Sequence, residues 1–338
     1  METTPPEQQE GGIKEFRRRP DLFRGLCWVA SVAAVAILAW IIVEITHQAW
    51  PAIKEFGFSF VATSRWLPNR ETFGVLPFIV GTAVSSLIAL LFALPLGLAV
   101  AIFLSEDFLP PAVRQVVRFT VEMLAAIPSV VYGLWGIYVV IPLMLKFGPW
   151  AVQTFHNTWT TPGMNGAPEV QKGIPILETL FAPPSYGNSM LTASLVLALM
   201  ILPTITAISR AALVAVPGTL REGAYALGST RWEAIFGVIL PAAAPGVVAA
   251  TILALGRAMG ETMAIAMLIG NSSHLTSSLL APAGTLASLL ANQFGEAEGL
   301  QVSSLMFAAL LLVILTLFVN IAGEVVLRYT QRQTAGIR

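Results

Sequence analysis

The sequence predicts an all-α polytopic membrane protein with six transmembrane helices. Of its 338 residues, 56% are hydrophobic and only 11% are charged, whereas a soluble globular domain carries about 25% charged residues. A helix needs about 20 predominantly apolar residues to cross a bilayer, and six segments of the chain meet this length. Their approximate bounds are 25–46, 76–104, 119–146, 188–209, 242–270 and 303–327.

The first span follows a basic N-terminal tail, residues 1–24. The apolar run from about Leu26 to Ile45 is long for a signal-peptide core, and no small-residue cleavage site clearly follows it. We therefore expect this run to be retained as a helix within the segment 25–75, which also holds an outer loop. The other predicted divisions are a transmembrane domain at 76–330 and a cytoplasmic tail at 331–338.

The positions of Lys and Arg predict that both termini are cytoplasmic. With the N-terminus inside, thirteen of the 19 basic residues fall in inner segments and five in outer segments, and Arg257 alone lies within a span. Basic residues are enriched on the cytoplasmic side of membrane proteins. The opposite orientation would violate this rule.

Two of the loops differ from simple connectors. The outer loop 147–187 is long and rich in Pro, Gly, Asn and aromatic residues, which predicts an ordered external cap. The inner loop 210–240 has a helical, amphipathic pattern. It is therefore expected to form a structured element on the inner face.

A pair of ionisable residues in the fifth span is the main candidate for a substrate site. Arg257 and Glu261 are four residues apart, so an uninterrupted helix places them on one face, and helix geometry counted from Pro241 places them near the membrane midplane. Charges at that depth are costly and usually serve a substrate path or each other, and a guanidinium matches the oxygens of phosphate or carboxylate bidentately. The residues alone leave both roles open: Arg257 is an anion receptor, a structural partner of Glu261, or each in turn. Thr262 adds a hydroxyl donor to this site or bonds back to its own helix.

The sequence predicts no catalytic residue, no metal site and no cofactor. It lacks a G-x-x-x-x-G-K-[ST] phosphate loop, a nucleophile–base constellation and an H-E-x-x-H motif, so ATP hydrolysis would require a separate subunit. Cys27 is the single cysteine, and His47, His156 and His274 are isolated from one another. An intramembrane enzyme is therefore disfavoured. A secondary anion transporter should show inverted repeats with broken helices, and the sequence shows no such halves.

The inner loop carries a spaced motif. It contains Glu222-Gly223-Ala224, then Gly228 after three residues, and Val238-Ile239-Leu240-Pro241 after nine more. This pattern resembles the EAA motif of ABC-importer permeases, with Gly223 in place of the second Ala and Val238 in place of Ile. The resemblance implies the type I ABC importer permease fold and a short cytoplasmic coupling helix that docks into a groove of an ATPase subunit. The alternative is an ordinary amphipathic loop between two helices.

The residue types of this motif agree with a short coupling helix. Small side chains at Gly223 and Ala224 allow a partner to approach closely. Gly228 suits a helix C-terminus, where a left-handed residue is needed, and Pro241 suits the first turn of the next span.

A second motif narrows the family. Leu255-Gly256-Arg257-Ala258-Met259-Gly260-Glu261-Thr262-Met263-Ala264 resembles the GRA-x-GET-x-A signature of the phosphate-specific, PstC-type permeases. Ile127-Pro128-Ser129-Val130-Val131-Tyr132-Gly133 resembles the third-span motif of the same branch, and the likeness covers about residues 76–330. The long outer loop favours the PstC-type over the homologous PstA-type.

The resemblance to this branch implies a function and a set of partners. The implied function is that of a permease subunit of an ATP-driven importer of inorganic phosphate in the bacterial inner membrane, with Arg257, Glu261 and Thr262 along the substrate pathway. The implied partners are a homologous permease subunit (PstA-like), two ATPase subunits (PstB-like) and a periplasmic or lipid-anchored phosphate-binding protein (PstS-like). A permease for sulfate or molybdate is the nearest alternative, and the Arg/Glu signature argues against it.

Overall fold

A computed structural model describes residues 20–106, 108, 110–156, 159–162, 168–171, 179–182 and 186–335. The predicted N-terminal tail lies outside these residues as far as residue 19. The elements are α1 (Pro20–Phe56), α2 (Ser59–Ala62), α3 (Leu76–Ser105), α4 (Pro111–Ala126), α5 (Ser129–Trp135), α6 (Ile141–Ala151), β1 (Trp159–Pro162), β2 (Pro168–Gln171), α7 (Met190–Val214), α8 (Gly218–Ala226), α9 (Arg231–Ala234), α10 (Leu240–Met259), α11 (Met263–Leu268), α12 (Leu286–Gln293) and α13 (Leu300–Ala335).

The prediction of six membrane-spanning segments is confirmed. Six helical stretches of the described chain are long and apolar enough to cross a bilayer. Below, the end of the bundle that carries the loop between α7 and α9 is called the inner end, and the opposite end is called the outer end. The six stretches are Phe23–Phe56, Leu76–Ser105, Ser129–Thr154, Met190–Val214, Arg231–Met259 and Leu300–Arg332.

The first span is longer than the sequence predicted. Helix α1 has 37 residues and ends at Phe56 rather than near residue 46. Its last turns join a buried cluster at the outer end: Phe56 packs edge-on against Phe73 with ring centroids 5.8 Å apart, and Ala52 is buried in the same cluster. Phe60 of this cluster stacks on Phe307 of α13 at 4.4 Å. This aromatic cluster gives the polar end of α1 tertiary partners, which hydropathy alone does not reveal.

The central helices pack closely because small residues face their neighbours. A Cβ atom added at Gly97 of α3 would lie 2.9 Å from the Ile205 side chain of α7. One added at Gly246 of α10 would lie 2.2 Å from the Cβ of Ala212. Helix α7 is consequently the most enclosed span, since most of its residues are buried. Helices α3 and α10 both pack against it.

Two of the expected spans are interrupted helices. The predicted third span, 119–146, is divided at Ile127-Pro128: α4 ends at Ala126 and a new helix begins at Ser129. The residue before a proline is disfavoured in the α conformation, so the chain leaves the helix there. The predicted fifth span, 242–270, is divided after Met259, and α11 follows as a separate short helix.

The outer loop begins later than predicted. Helical backbone continues through α6 and a π-helical turn, Val152–His156, so the loop does not start at residue 147. Beyond it, β1 and β2 pair antiparallel, with Trp159 opposite Gln171. Much of 157–185 lies outside the described residues, and the expected external cap stays a prediction. At the other terminus α13 continues to Ala335, through most of the predicted tail.

Candidate functional site

Arg257 lies near the middle of the helix bundle. At the inner side Gly246 packs on Ala212 of α7, and at the outer side the Asn188 amide donates a hydrogen bond of 3.4 Å to the carbonyl oxygen of Met267. Arg257 follows Gly246 by eleven residues and precedes Met267 by ten. The eleven helical residues from Gly246 correspond to about 16 Å, and Ala258 is buried in one core cluster with Leu197 and Ile201 of α7, so the backbone at Arg257 lies at the central level of α7.

The fifth span is broken beside this arginine. Arg257 lies in the last turn of α10, and the residues from Gly260 to Thr262 connect it to α11 without continuing the helix. The expectation that Arg257 and Glu261 share one helix face is therefore wrong, because Glu261 lies beyond the helix end. Irregular backbone at membrane depth occurs only where it is covered by protein or lines a water-filled cavity.

The three predicted pathway residues make different contacts. The Glu261 carboxylate accepts a hydrogen bond of 3.4 Å from the amide of Ala264, and the Thr262 hydroxyl donates one of 3.2 Å to the carbonyl of Gly260. Both residues are half-buried, whereas Arg257 is exposed in the single chain. Within the part of the chain that the structure describes, Arg257 forms no ion pair and no side-chain hydrogen bond. The expected pair with Glu261 is therefore absent there.

The break in the third span lies close to the break in the fifth. Tyr132 of α5 is buried in the same core cluster as Ala258, which follows Arg257 in the chain. Its hydroxyl donates a hydrogen bond of 2.9 Å to the carbonyl of Leu124 in α4, which ties the two halves of the interrupted span together. Gly133 lies directly against α11, since an added Cβ would approach the Cα of Ala264 to 3.2 Å. Two helix interruptions and one arginine thus meet at the same depth.

This arrangement is suited to a transient anion. A guanidinium in a low-dielectric region is costly without a counter-charge, and the one carboxylate near it in sequence accepts a bond from the helix backbone instead. The planar fork of Arg257 is therefore available to bind two oxygens of a tetrahedral oxyanion. No group of three or more His, Cys, Asp and Glu in the described chain is arranged to hold a metal ion.

Tyr132 and Leu124 were not predicted as part of this site. Tyr132 occurs in an apolar segment where an aromatic residue usually packs against neighbours, and the role of Leu124 depends on its backbone carbonyl. The one sequence signal was Pro128, which predicts a probable helix boundary at Ile127.

The predicted coupling loop contains the expected short helix. Helix α8 includes Glu222, Gly223 and Ala224, of which Ala224 is buried and the other two are exposed. Gly228 has φ +85°, and its amide donates to the carbonyl of Tyr225 at 3.0 Å while the amide of Ser229 donates to that of Ala224 at 3.2 Å. These two bonds form a Schellman motif, so the predicted position of Gly228 at a helix C-terminus is confirmed.

Arg221 attaches this helix to the ends of two spans. Its Nη1 atom lies 2.5 Å from Oε1 of Glu106, at the inner end of α3, and its Nη2 atom donates at 2.6 Å to the carbonyl of Leu213 in α7. The two side chains of this ion pair are only 20% and 11% exposed. Movement of α8 would therefore be transmitted directly to α3 and α7.

The fifth span begins earlier than predicted. Thr230 and Glu233 form a capping box at the start of α9, and helical backbone continues through a π-helical turn, Ile235–Ile239, into α10. Pro241 lies in the first turn of α10, as expected, but the helical backbone already starts at Arg231. Leu240 is half-buried and Pro241 is exposed.

One face of the coupling loop is open to a partner. Leu227 is 89% exposed at the loop tip, and a Cβ added at Gly223 would meet no atom within 4 Å. Trp232 and Phe236 are also exposed and stack with ring centroids 6.0 Å apart. Exposed large apolar side chains are typical of a surface that another protein covers.

Comparison with known proteins identifies relatives over almost the whole chain. A family model described as the inner membrane component of binding-protein-dependent transport systems matches residues 93–335. A phosphate transport system permease protein PstC of Mesorhizobium japonicum is 38% identical over 330 residues, which cover 97% of this chain and 96% of the relative. The protein of the same name from Haemophilus influenzae is 39% identical over 316 residues, covering 93% and 95%.

A solved structure shares the fold. An inward-facing conformation of the MetNI methionine ABC transporter superposes with a TM-score of 0.51 and 20% sequence identity. The likeness covers 78% of this chain and 96% of that one, so the fold described above also occurs in a chain of that ABC transporter.

Proposed function

Because the chain belongs to the family of inner membrane components of binding-protein-dependent transport systems, we propose that it is the PstC-type permease subunit of an ATP-driven importer of inorganic phosphate. The observation that carries this proposal is the Arg257 guanidinium, placed at the central level of the bundle and without a carboxylate partner among the described residues. Two relatives, which cover 97% and 93% of this chain, are named phosphate transport system permease proteins. Their names indicate phosphate as the anion.

Arg257 is proposed to bind phosphate during its passage. Hydrogen phosphate offers the oxygen pairs that a guanidinium binds bidentately. A single exposed arginine binds such an anion more weakly than a closed cage of donors does, and a transport pathway requires binding that is weak enough for release. A permease for sulfate or molybdate would also have to bind a tetrahedral oxyanion through its oxygens. The identity of the substrate must therefore be tested directly.

Glu261 and Thr262 are proposed to shape this site rather than neutralise it. Glu261 holds the start of α11 through its bond to the Ala264 amide, and Thr262 closes the turn through its bond to the Gly260 carbonyl. The nearby carboxylate also repels a second anion and shortens the residence of the first. In this proposal Glu261 limits trapping of phosphate by Arg257.

The chain acts as a transport subunit in a multi-subunit ABC system and is not itself an enzyme. We propose that two PstB-like ATPase subunits hydrolyse ATP and that one of them docks on the open face of the coupling loop, at Glu222, Gly223 and Leu227. A homologous PstA-like permease covers the side of the chain on which Arg257 is exposed. A PstS-like phosphate-binding protein delivers the anion at the outer end.

The orientation follows from the distribution of basic residues. We propose that the inner end, with the coupling loop and both termini, faces the cytoplasm, since the sequence assigns thirteen of the 19 basic residues to segments on that side. The division of the chain into segments also stays a prediction from the sequence. The segments are 1–24, 25–75, 76–330 and 331–338. Labelling of a single cysteine introduced at Leu227 and another at Arg65 by an impermeant thiol reagent in intact cells tests the orientation.

The broken third and fifth spans are also compatible with a secondary anion transporter, which uses discontinuous helices at its site. Family membership favours the ATP-driven permease, and the Schellman-capped coupling helix with its open face has no use in a transporter without an ATPase. Dependence of uptake on ATP separates the two mechanisms.

The test is phosphate uptake by the complete transporter in proteoliposomes. We expect uptake that requires ATP and the binding protein, and we expect excess sulfate or molybdate to leave it unchanged. Arg257→Gln should reduce the rate about 30- to 1000-fold, because loss of one partner of a desolvated charge pair costs about 2–4 kcal/mol. Arg257→Lys should retain a small part of the activity, since it keeps the charge and loses the fork.

The matched control is Arg328→Gln, which removes an exposed arginine of α13 that is paired with Glu324. It should transport at the unmodified rate, and all variants must assemble with their partners on size-exclusion chromatography. Normal phosphate uptake by an assembled Arg257→Gln transporter would show that Arg257 does not bind the substrate.

A further inference from the structure

A second group of arginines converges on a cavity at the inner end of the bundle. The cavity has a volume of about 490 Å³ and is lined by Arg114, Arg118 and Glu122 of α4 together with Arg210 of α7. The same cavity includes Gln115. Arg118 and Arg210 line the cavity from two helices that are distant in sequence, with Glu122 as the one carboxylate among the described lining residues.

Among the described residues, Glu122 and Glu106 leave the guanidinium groups of Arg118 and Arg210 with open donors. Glu122 contacts only Nε of Arg118, at 2.8 Å, in a pair that is more than half exposed, and such pairs contribute little. The carboxylate of Glu106 is engaged by Arg221. Arg210 donates from Nε to the carbonyl of Leu104 at 3.4 Å, and its Nη atoms make no further bond to the described residues.

The cavity is connected to the central site through α4. Arg118 and Leu124 lie on the same helix, six residues or about 9 Å apart. The carbonyl of Leu124 accepts the hydrogen bond from Tyr132, and Tyr132 is buried in the same core cluster as Ala258, the residue after Arg257. Helix α4 thus extends from the level of Arg257 to the inner surface and presents basic groups along the way.

We propose that this arginine cavity binds the phosphate group of an anion at the inner end of the pathway. The proposal rests on the proposed function, in which phosphate leaves Arg257 toward the cytoplasm. Guanidinium groups from two helices bind a tetrahedral oxyanion through paired oxygens. The phosphate group belongs either to the transported inorganic phosphate or to the headgroup of an anionic lipid, since both reach the inner surface.

The experiment measures protection of a cysteine placed in the cavity. The complete transporter, with Cys27→Ser in this chain and cysteine-free partners, carries Gln115→Cys and is reconstituted in nanodiscs of phosphatidylcholine. The rate of labelling by an uncharged maleimide is measured in the presence of inorganic phosphate and, separately, in the presence of chloride at the same ionic strength. Tyr329→Cys, an exposed position on α13 at the inner end, is the control and should label equally in both.

We expect inorganic phosphate to slow labelling at residue 115. Arg210→Gln should raise the phosphate concentration that gives half protection at least tenfold, because one charge-assisted contact is lost. Arg118→Gln provides a second variant if Arg210→Gln does not assemble, since the Arg118 side chain is 55% exposed and contributes little to folding.

A second arm identifies the source of the phosphate group. Nanodiscs with phosphatidylglycerol are compared with those of phosphatidylcholine in the absence of phosphate. If labelling is slow only with phosphatidylglycerol, and Arg118→Gln restores it, the cavity binds a lipid headgroup. If labelling is the same with phosphate, chloride and either lipid, the cavity binds no phosphate group and the proposal is wrong.

The outcome is independent of the test of the central site. Labelling is measured without ATP, so an Arg257→Gln transporter that cannot transport still reports on the inner cavity. Unchanged labelling in a transporter with normal phosphate uptake would overturn the inner site alone. Loss of phosphate specificity in uptake would overturn the proposed function alone.

Discussion

Arg221 and Arg257 occupy opposite kinds of environment. The Arg221 guanidinium is mostly buried, pairs with Glu106 at 2.5 Å and donates to the Leu213 carbonyl at 2.6 Å. The Arg257 guanidinium is exposed in the single chain and has neither kind of partner among the described residues. Arg221 bonds to a carboxylate and a carbonyl of its own chain. The donors of Arg257 are open to a partner or ligand outside the chain.

The difference separates a mechanical role from a binding role. A buried charge with satisfied donors fixes the geometry around it, and its removal leaves the opposite charge unpaired. A charge with open donors contributes little to the fold and is free to interact with an anion. The two arginines should consequently respond in opposite ways when stability and transport are measured side by side.

The largest expected effect on stability is at Arg221. Arg221→Gln leaves the buried Glu106 carboxylate without its partner, and we expect a loss of about 3 kcal/mol in the free energy of unfolding. Thermal unfolding of the purified permease in detergent should show a midpoint lower by several degrees. Arg257→Gln should unfold at the unmodified temperature.

The matched control for this prediction is the exposed ion pair of α13. Glu324→Gln removes a carboxylate that lies 2.9 Å from Arg328 in a pair with side-chain exposures of 72% and 51%. We expect a change of less than about 1 kcal/mol. A loss at Glu324 as large as that at Arg221 would mean that burial does not distinguish the two pairs.

The next effect concerns the end of the coupling helix. Gly228→Ala forces a side chain into a backbone with φ +85°, and we expect a cost of about 1–2 kcal/mol. In the complete transporter the ATPase rate should respond less to the binding protein, because the helix end that we propose as the ATPase docking site is distorted. Stimulated ATPase activity and the thermal midpoint measure the two effects.

Gly223→Ala is the control for Gly228→Ala. The added methyl group meets no atom within 4 Å, and alanine stabilises a helix by about 0.5–1 kcal/mol relative to glycine. The permease alone should be equally or slightly more stable. If both substitutions weakened coupling equally, contact with the ATPase rather than backbone conformation would determine the result.

The smallest effect is expected at the break in the third span. Tyr132→Phe removes the hydrogen bond to the Leu124 carbonyl, and we expect a loss of about 1 kcal/mol. Phosphate uptake should fall severalfold, since α4 and α5 are no longer joined beside Arg257. Tyr138→Phe, at a side chain that is 73% exposed, should leave uptake unchanged.

Local sequence patterns predicted the parts of the molecule that depend on neighbouring residues. The six spans followed from apolar length, and the end of the coupling helix followed from Gly228, because a left-handed position favours glycine. The central depth of Arg257 followed from counting residues along a helix. Each of these features depends on fewer than about 30 consecutive residues.

The bounds of the first, third and fifth spans could not be read in the same way. Hydropathy is unchanged by a break inside an apolar segment, so 119–146 and 242–270 looked continuous although α4 and α10 end within them. The polar end of α1 is helical because it packs against α13 and the outer aromatic cluster, which includes Phe307. Tertiary contacts of this kind override the local signal.

The sequence by itself determined six apolar spans, an arginine within the fifth of them and a short inner helix followed by Gly228. The tertiary structure decided which partner each charged side chain has. Arg221 pairs with Glu106, which is 115 positions away in the chain, and Arg210 lines one cavity with Arg118. Glu261 bonds to the start of α11 and not to Arg257. Apolar length and helix signals are local properties of a chain. The pairing of a charge depends on which distant side chains and helix ends the packed spans bring within hydrogen-bonding distance.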